Sequence, residues 1–481
     1  MGGIVMIGRK SEQEELLRRY QRNKAEFVAV YGRRRVGKTT LIDETFHDRF
    51  TFRHAGLSPV EGKKKGMMSS QLLHFYHSLK DHGLGEENEP KTWLDAFYLL
   101  EKLLDQKDNG QRLLVFLDEL PWMDTPRSGF VTALEGFWNN WGCHRKNLML
   151  IVCGSASSWI LDQLINNHGG LYGRVTCEIR LSPFTLSECE QFLTANGVRF
   201  SRYDIVQSYM IFGGIPFYLD ALDSRFSLAQ NVDRLLFSKS APFRDEYDRL
   251  FSSVFTNPEA MKTIVELLFT RRAGYTRKEI SGFTGVPTGG ALTSCLKALE
   301  ASDFIDRYIP FGQGKRETHY KLTDPFCLFW LHFPAKMQKK DEQFWSRHQA
   351  TQTVATWRGF AYENVCFQHI PQIKRALGIS GVRTLQSAWL LRNEEENTQI
   401  DLLIERDDHV VNACEIKFYS DTFIVDKSYY RELLRRQSIL LEKLSPKVAV
   451  YQTLISTFGM KRNEYSGVFS QVVRMDDLFE E

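Results

Sequence analysis

The chain has 481 residues, a length that predicts roughly two to four domains. Its 62 basic and 59 acidic residues give a formal net charge of +3, which excludes a basic surface spread over the whole chain. The eight cysteines are scattered without a C-x-x-C pair, which argues against a zinc ribbon or a disulfide framework. No apolar run is long enough for a signal peptide or a membrane span, so we expect a cytoplasmic chain without a membrane partner.

The first predicted element is a helix that begins near Ser11. Ser11 and Glu14 have the spacing of an S-x-x-E capping box, and Leu16, Leu17 and Tyr20 give the segment an apolar face.

An apolar run at 27–31 leads directly into the pattern G-x-x-x-x-G-K-T. The residues of this pattern and the one that follows it are Gly32, Arg33, Arg34, Arg35, Val36, Gly37, Lys38, Thr39 and Thr40. A strand, a glycine-rich loop and a helix in this order predict a phosphate-binding loop, or P-loop, whose backbone N–H groups surround a phosphate chain. In such a loop Lys38 reaches the β- and γ-phosphates and Thr39 holds Mg²⁺, so we expect ATP and Mg²⁺ as ligands. The later basic run at 63–65 either touches a phosphate backbone or is solvated, and we interpret it as solvated.

Two carboxylates end the next apolar run, at 113–117. The carboxyl ends of parallel strands meet at the edge of a sheet where ligands bind, so Asp118 and Glu119 are expected there. In that position Asp118 can bind Mg²⁺, and Glu119 can orient and deprotonate an attacking water. The alternative is an ordinary strand that ends in a charged turn.

Two residues further along have alternative roles. Ser155 follows the apolar run at 148–153 and either senses hydrolysis of the nucleotide or caps the next helix. Arg174 precedes a predicted strand and is either a surface arginine or an arginine finger, which acts in cis or from a neighbouring subunit. With Lys38 and Glu119, Arg174 completes the candidate catalytic set for nucleotide hydrolysis.

Residues 258–323 predict three helices followed by a hairpin, the element order of a winged helix. The hairpin loop at 311–316 carries glycines and basic residues, as a wing in contact with DNA would. The candidate recognition helix, 291–301, has one basic residue, Lys297. The segment therefore either binds DNA or docks domains together.

Two apolar runs between 399 and 417 form a predicted hairpin. Glu415 and Lys417 project to the same side of their strand, and Asp401 can lie across from them. Two carboxylates hold a divalent cation through oxygen atoms, and a lysine stabilises negative charge on a phosphate. Glu363, on a predicted helix upstream, is a further candidate acid. The alternative is an exposed hairpin with ordinary surface charges.

The order of these motifs resembles the archaeal-type ATPase family, an AAA-like branch of the P-loop NTPases. The resemblance covers roughly residues 1–250 and, more weakly, the rest. It rests on Gly8-Arg9, the P-loop, Asp118-Glu119, Gly154-Ser155, Gly173-Arg174 and the Gly-Gly-Ile-Pro segment that ends at Pro216. It implies that Gly8 and Arg9 lie near the adenine and that Pro216, on a helical lid, contacts the nucleotide from the other side. Local chemistry alone makes the Pro216 segment a turn that ends a helix.

The C-terminal acids resemble the PD-(D/E)-x-K nuclease superfamily, a fold that members of this ATPase family often carry. The resemblance implies that Glu363, Asp401 and Glu415 hold Mg²⁺ or Mn²⁺, and that Asp401, Glu415 and Lys417 are catalytic. Ile400 stands where the superfamily pattern has a proline. Basic residues on the following predicted helix, including Arg436, either face a nucleic-acid backbone or form a solvated face, and we interpret them as a solvated face.

These patterns predict a multidomain α/β protein. The predicted domains are a P-loop AAA-like ATPase core (1–185), a helical lid (186–255), a winged helix (256–330) and a small α/β restriction-endonuclease-like domain (331–481). The expected function is ATP binding and hydrolysis coupled to DNA binding and to metal-dependent DNA cleavage. The alternative is a nucleotide-dependent regulatory switch or scaffold whose nuclease-like domain is catalytically inactive. A homo-oligomer is required if Arg174 acts in trans.

Overall fold

The computed structural model describes residues 7–58, 67–166, 169–252, 255, 257–336, 341–392 and 397–480, so the basic run at 63–65 lies outside the described residues. The chain divides into two compact units. The first comprises Met1–Pro183, Asp248–Pro258 and Ser294–Asp303, and the second comprises Phe184–Tyr247, Glu259–Thr293 and Phe304–Glu481.

In the described ranges the β-strands belong to three sheets. In chain order they are β1 (Glu26–Tyr31), β2 (Phe52–Ala55), β3 (Leu113–Asp118), β4 (Leu148–Gly154), β5 (Cys177–Arg180), β6 (Tyr275–Thr276), β7 (Ile305–Tyr308), β8 (His319–Leu322), β9 (Thr384–Arg392), β10 (Asn397–Arg406), β11 (Val410–Lys417), β12 (Ala449–Ser456) and β13 (Gln471–Arg474).

The α-helices are distributed unevenly among these strands. In chain order they are α1 (Lys10–Tyr20), α2 (Lys38–Phe46), α3 (Met67–Asp81), α4 (Trp93–Lys107), α5 (Leu120–Met123), α6 (Phe130–Gly136), α7 (Ser157–Ile160), α8 (Leu186–Ala195), α9 (Arg202–Phe212), α10 (Pro216–Asp220), α11 (Leu228–Val232), α12 (Glu246–Ser252), α13 (Pro258–Phe269), α14 (Arg277–Thr284), α15 (Gly290–Ala301), α16 (Pro325–His332), α17 (Phe344–His348), α18 (Gln352–Gln368), α19 (Ile370–Ala376) and α20 (Lys427–Lys443).

The first unit is built on a parallel five-stranded sheet with the order β2-β3-β4-β1-β5. Strands β1, β3 and β4 are buried along their whole length, as expected for a parallel sheet that is covered on both faces. These three strands confirm the strands that the apolar runs predict. Their carboxyl ends bring the P-loop, Asp118 and Ser155 to one edge of the sheet.

Helix α4 closes the core on one side of this sheet. A capping box fixes its first turn, because Thr92 accepts from the N–H of Asp95 and Asp95 accepts from the N–H of Thr92. Its apolar face is buried in the same cluster as β1, β3 and β4. Trp93 and Phe97 pack against Phe130 with ring centroids 4.8 and 5.9 Å apart, so aromatic contacts hold this layer together.

The predicted capping box at the start of α1 is wrong. The helix begins one residue earlier, at Lys10, and its N-cap is Arg9 in the left-handed conformation, with φ 59° and no side-chain cap. The Ser11 hydroxyl instead donates to the Glu12 carboxylate at 2.8 Å. The Arg9 side chain bonds to the carbonyl oxygens of Val36 and Ser182.

The second unit contains a small antiparallel sheet with the order β6-β8-β7. The elements α13, β6, α14, α15, β7 and β8 follow one another along the chain in the order of a winged helix, and α15 is divided between the two units at Ser294. The capping box formed by Thr276 and Glu279 starts α14.

A mixed five-stranded sheet, with the order β13-β12-β11-β10-β9, forms the rest of the second unit together with its flanking helices. The predicted hairpin is confirmed as the antiparallel pair β10 and β11, in which Leu402 lies opposite Cys414. The pairing of β10 with β9 shifts register between Ile400 and Leu403, so Asp401 lies at an irregularity of the strand. Such bulges re-aim side chains and are common beside functional sites.

Among the helices of the described ranges, none has the length and apolar character needed to cross a membrane.

Candidate functional site

The P-loop joins β1 to α2 at the carboxyl edge of the parallel sheet. Gly32 and Gly37 have positive φ values of 151° and 89°, and Arg35 shares the left-handed conformation at 73°. A Cβ atom on residue 32 would lie 2.2 Å from the carbonyl oxygen of Leu181, so only glycine fits there. The sequence therefore folds here as the phosphate-binding motif predicts.

The other residues of the motif differ in exposure. Arg33 and Val36 are buried, with 2% and 1% of their surface exposed, whereas Arg34 and Arg35 are half-buried and Thr40 is exposed on α2.

The ammonium group of Lys38 is folded back onto the P-loop. Lys38 is 5% exposed, and its Nζ donates to the carbonyl oxygens of Gly32 and Arg33, both at 3.0 Å, and to Ser155 Oγ at 3.1 Å. Burial lowers the pKa of Lys38, against the nearby negative charges of Glu119 and Asp118. A buried ammonium requires acceptors of this kind, and the loop itself supplies them.

Thr39 and Asp118, the two predicted Mg²⁺ ligands, are in direct contact. Thr39 Oγ1 donates to Asp118 Oδ2 at 2.8 Å. The other carboxylate oxygen, Oδ1, accepts from the backbone N–H of Glu119 at 2.8 Å and from Cys153 Sγ at 2.6 Å. Asp118 is thus buried and held in one orientation. The contact with Cys153 is not predicted from the sequence, because Cys153 lies on a neighbouring strand that is 35 residues away along the chain.

Ser155 links the predicted base to the predicted phosphate-binding lysine. Glu119 Oε1 accepts from Ser155 Oγ at 2.8 Å, and Oε2 accepts from the Ser155 backbone N–H at 3.1 Å. Glu119 itself has a positive φ of 43° at the start of α5. The alternative role of Ser155 as a helix cap is wrong, because the N-cap of α7 is Ala156 and it makes no side-chain cap. Lys38, Ser155 and Glu119 therefore form one hydrogen-bonded chain.

Arg9 lies against the P-loop, and its expected place beside the adenine stays a prediction. Gly8 and Arg9 both have positive φ values, 67° and 59°. The Arg9 guanidinium is buried and donates to the carbonyl oxygens of Val36 at 3.4 Å and Ser182 at 2.5 Å. These contacts bridge the N-terminal segment, the loop and the end of the β5 segment.

Arg174 and Pro216 are the two remaining nucleotide-site candidates. Arg174 is exposed in a turn before β5, where its backbone N–H donates to Leu171 at 3.0 Å. Pro216 is the first residue of α10, in the second unit. The arginine-finger and lid roles of these residues stay predictions.

Comparison with known proteins agrees with this geometry. Residues 6–222 match the model of a family described as an ATPase domain predominantly from Archaea. This part of the chain belongs to that family. The archaeal-type ATPase domain thus carries the P-loop, Asp118, Glu119 and Ser155, and it is an ATP-hydrolysing enzyme domain.

Similarity to one relative extends beyond the ATPase domain. An uncharacterised protein of Methanocaldococcus jannaschii is 24% identical over 443 residues, which cover 91% of this chain and 92% of the relative. An uncharacterised ATP-binding protein of the same organism is 50% identical over 50 residues, which cover 10% of this chain and 85% of the relative. Among solved structures, a Walker-type ATPase of Pyrococcus abyssi is 17% identical with a TM-score of 0.46, over 68% of this chain and 96% of that chain.

A second constellation lies in the mixed sheet of the second unit. Asp401 on β10 accepts from the backbone N–H of Ile416 at 3.0 Å through Oδ2, which ties it to β11. Burial, and then the charge of Glu415, raises the pKa of Asp401 to about 6. Burial, and then the charge of Asp401, raises the pKa of Glu363 on α18 to about 8. The structure therefore brings these three predicted acids within electrostatic reach of one another.

Glu415 is the member of this cluster that is already neutralised. Its Oε1 accepts from Lys417 Nζ at 2.7 Å and from the Tyr429 hydroxyl, and its Oε2 pairs with Arg436 Nη1 at 3.2 Å. Although burial acts in the opposite direction, the Glu415 carboxylate raises the pKa of Lys417 above its ordinary value. Glu363 has a more distant cationic neighbour, because its Oε1 lies 3.7 Å from Nη1 of Arg272.

The donor set of this cluster fits a divalent cation only in part. Within the described ranges, no three aspartate, glutamate, histidine or cysteine side chains are disposed to hold a metal ion. Glu415 is already paired with Lys417 and Arg436 at 2.7 and 3.2 Å, whereas the Arg272 guanidinium lies farther from Glu363, at 3.7 Å. Any cation would therefore rely on Asp401 and Glu363 unless Glu415 releases its partners.

Sequence reasoning missed Tyr429 and assigned Arg436 wrongly to a solvated face. Both project from α20 towards Glu415, and Arg436 is 21% exposed. Residues 429 and 436 are seven apart and so lie on the same face of a helix. That spacing, beside the predicted acidic strands, is the signal that would have found them.

Proposed function

We propose that the ATPase domain couples the state of its nucleotide to DNA binding by the second unit, with metal-dependent cleavage at the carboxylate cluster. The observation that carries the nucleotide part is the hydrogen-bonded chain from Lys38 through Ser155 to Glu119, beside the Thr39–Asp118 contact. These residues lie on one edge of a parallel sheet, where α/β proteins bind ligands.

ATP binding follows from the loop and from Lys38. The N–H groups of the loop and the N-terminus of α2 favour a phosphate chain, and phosphate oxygens replace the loop carbonyls and Ser155 as acceptors for Lys38. Thr39 and Asp118 are the residues that would hold Mg²⁺, which neutralises charge on the phosphates when it is bound. The family resemblance implies a position beside the adenine for Arg9.

Hydrolysis is assigned to Glu119. It is the acid that follows the buried end of β3, and Ser155 fixes both of its oxygens. As a general base it accepts a proton from the attacking water. Arg174 is exposed and so is free to reach a second copy of the chain, which supports a role in trans and a homo-oligomer.

DNA binding is assigned to the segment from α13 to β8. Its exposed basic residues Lys278, Arg307 and Arg316 suit phosphate contacts. The wing has a second role, because Phe311 packs against the apolar cluster of the mixed sheet, with its ring centroid 6.0 Å from that of Trp389. That contact favours domain docking as the role of the wing tip, and leaves DNA contacts to the basic residues.

Cleavage is assigned to Asp401, Glu415 and Lys417, with Glu363 as the additional acid. Mg²⁺ or Mn²⁺ would polarise the scissile phosphate when it is bound, with Asp401 and Glu363 as the residues that would hold it. Lys417 stabilises the negative charge that develops on the phosphate.

A second function is favoured by the contacts of Glu415. Lys417 and Arg436 already neutralise the Glu415 carboxylate, and Tyr429 donates a hydrogen bond to it. These contacts fit a cluster that stabilises the fold of an inactive nuclease-like domain. The chain would then be a nucleotide-dependent switch or scaffold.

Incubation with plasmid and linear DNA, with Mg²⁺ or Mn²⁺ and with or without ATP, separates the two functions. The nuclease proposal expects cleavage that is lost in Asp401→Ala and Lys417→Ala and kept in Asp407→Ala, a matched change at an exposed acid of the β10–β11 turn. Cleavage that survives both site variants would show that the nuclease lies elsewhere or is a contaminant. The absence of cleavage on every substrate would establish the switch as the better account.

A further inference from the structure

Two exposed aromatic side chains follow the ends of neighbouring parallel strands. Strands β11 and β12 end at the paired residues Lys417 and Ser456, and Tyr419 and Phe458 each lie two residues beyond. They are 48% and 40% exposed. The Tyr419 N–H donates to Thr457 Oγ1 at 3.1 Å, and the same hydroxyl donates to the Tyr419 carbonyl at 2.6 Å, so the two segments are tied together. Both rings therefore stand at the carboxyl edge of the parallel strands, where ligands bind.

Each exposed ring is supported from behind by another ring. Tyr419 stacks on Phe423 with centroids 5.7 Å apart and planes inclined by 12°. Phe458 stacks on Tyr203 at 5.6 Å, and Tyr203 stacks in turn on Phe418 at 4.9 Å. Stacking on a second ring restricts each exposed ring, which leaves flat aromatic surface accessible to a ligand.

These rings are continuous with the carboxylate cluster. The ring of Phe423 meets the ring of Tyr429 edge to face at 5.7 Å, and the Tyr429 hydroxyl donates to Glu415. Lys417 Nζ lies 5.2 Å from the centre of the Tyr429 ring. A ligand that stacks on Tyr419 would thus extend to Lys417 and the acids.

The adjoining segment adds positive charge. The Lys461 backbone N–H donates to the carbonyl of Phe423 at 2.8 Å, and the side chains of Lys461 and Arg462 are exposed. The acid of the facing loop, Asp421, accepts from the backbone N–H of Thr422 at 2.6 Å. The surface therefore combines flat apolar rings with cations, which suits a ligand that has both aromatic faces and phosphates.

We propose that Tyr419 and Phe458 form a stacking platform for the unpaired bases of single-stranded nucleic acid. Bases of any sequence stack on aromatic side chains, while Lys461 and Arg462 meet the phosphate backbone. Paired bases are covered by their neighbours in a duplex and do not present their faces in this way. The inference deepens the proposed function, because it names the form of nucleic acid that reaches the carboxylate cluster.

Fluorescence anisotropy with a labelled oligothymidylate of about 20 nucleotides tests the platform, with an oligouridylate and a hairpin duplex alongside. The full chain is used in EDTA, so that cleavage plays no part. We expect the single strands to bind more tightly than the duplex, and Tyr419→Ala or Phe458→Ala to weaken single-strand binding about five- to 100-fold. Tyr98→Ala, which removes a ring that is 57% exposed on α4, is expected to leave binding unchanged.

Two further variants separate stacking from a loss of folding. Tyr419→Trp keeps an aromatic face and is expected to bind as the unaltered chain does. Tyr419→Leu keeps an apolar contact with Phe423 but has no ring, and we expect it to bind weakly while unfolding at the same temperature. The ratio of the oligothymidylate and oligouridylate affinities identifies DNA or RNA as the preferred single strand.

Equal binding by Tyr419→Ala and the unaltered chain would overturn the platform, as would a preference for the duplex or an absence of binding to both single strands. Single-strand binding that depends on Tyr419, in a chain that never cleaves DNA, would uphold the platform and reject the nuclease. Cleavage that depends on Asp401 but not on Tyr419 would uphold the nuclease and reject the platform.

Discussion

Replacing Glu119 with glutamine separates nucleotide binding from hydrolysis. The Glu119 carboxylate accepts from the Ser155 N–H at 3.1 Å and from the Ser155 hydroxyl at 2.8 Å. A glutamine amide has the same shape, accepts from the N–H through its oxygen and donates to the hydroxyl through its NH₂ group, so the local structure is kept. The loss is that of a general base, which lowers kcat about 10²- to 10⁴-fold. This factor corresponds to about 3–5 kcal/mol of transition-state stabilisation.

Release of inorganic phosphate measures kcat, and equilibrium binding of a fluorescent ATP analogue measures the dissociation constant. We expect the ATP affinity of Glu119→Gln to stay within about threefold of the unaltered chain, a difference below about 1 kcal/mol. Glu178→Gln, at an exposed acid on β5 of the same sheet, is the matched control and should leave both quantities unchanged. A kcat for Glu119→Gln within about threefold of the original value would refute the assignment of the base.

Further predictions concern the loop and the second unit. Lys38→Ala removes the ammonium that meets the phosphates and should weaken ATP binding by about 100-fold or more by the same fluorescence assay; unchanged affinity would contradict the site. Gly32→Ala places a Cβ 2.2 Å from a backbone carbonyl oxygen and should lower the unfolding temperature, whereas Gly381→Ala, which meets no atom within 4 Å, should not. Burial lowers the pKa of His369 from 6.5 to about 4, and its Nε2 accepts from the Leu186 N–H at 3.1 Å. The neutral His369 ring therefore makes its full contribution to the free energy of unfolding above about pH 6.5. This contribution falls by about 3 kcal/mol as the pH is lowered towards 4, because the unfolded state binds a proton more readily. Urea unfolding at both pH values should show a smaller loss in His369→Gln, and an equal loss would contradict this reasoning.

The parallel sheet and its P-loop were predictable because the information is local. Apolar runs that end in Gly32, Asp118 and Ser155 specify buried strands and place chemical groups at their carboxyl ends. The same reasoning predicted the hairpin that carries Asp401 and Glu415, because period-two patterns and a turn lie within a short segment.

Contacts between distant segments were not predictable in this way. Arg9 bonds to Ser182, which is 173 residues away, and this contact rather than the Ser11 capping pattern accompanies the start of α1. Arg436 lies 21 residues beyond Glu415, and the sequence alone favours a solvated position for it on a helix. Only the fold brings its guanidinium to Glu415. The docking of Phe311 onto the mixed sheet likewise depends on the tertiary arrangement of the second unit.

The central claim is that nucleotide bound at the P-loop controls nucleic-acid binding by the second unit. Its most direct test is the affinity for labelled DNA in Glu119→Gln, which is expected to hold ATP without turnover, measured with ATP, with ADP and without nucleotide, beside Lys38→Ala. The account predicts that the affinities with ATP and ADP differ by about fivefold or more in Glu119→Gln, and that Lys38→Ala has a single affinity under all three conditions. One affinity for both variants under every condition would contradict it.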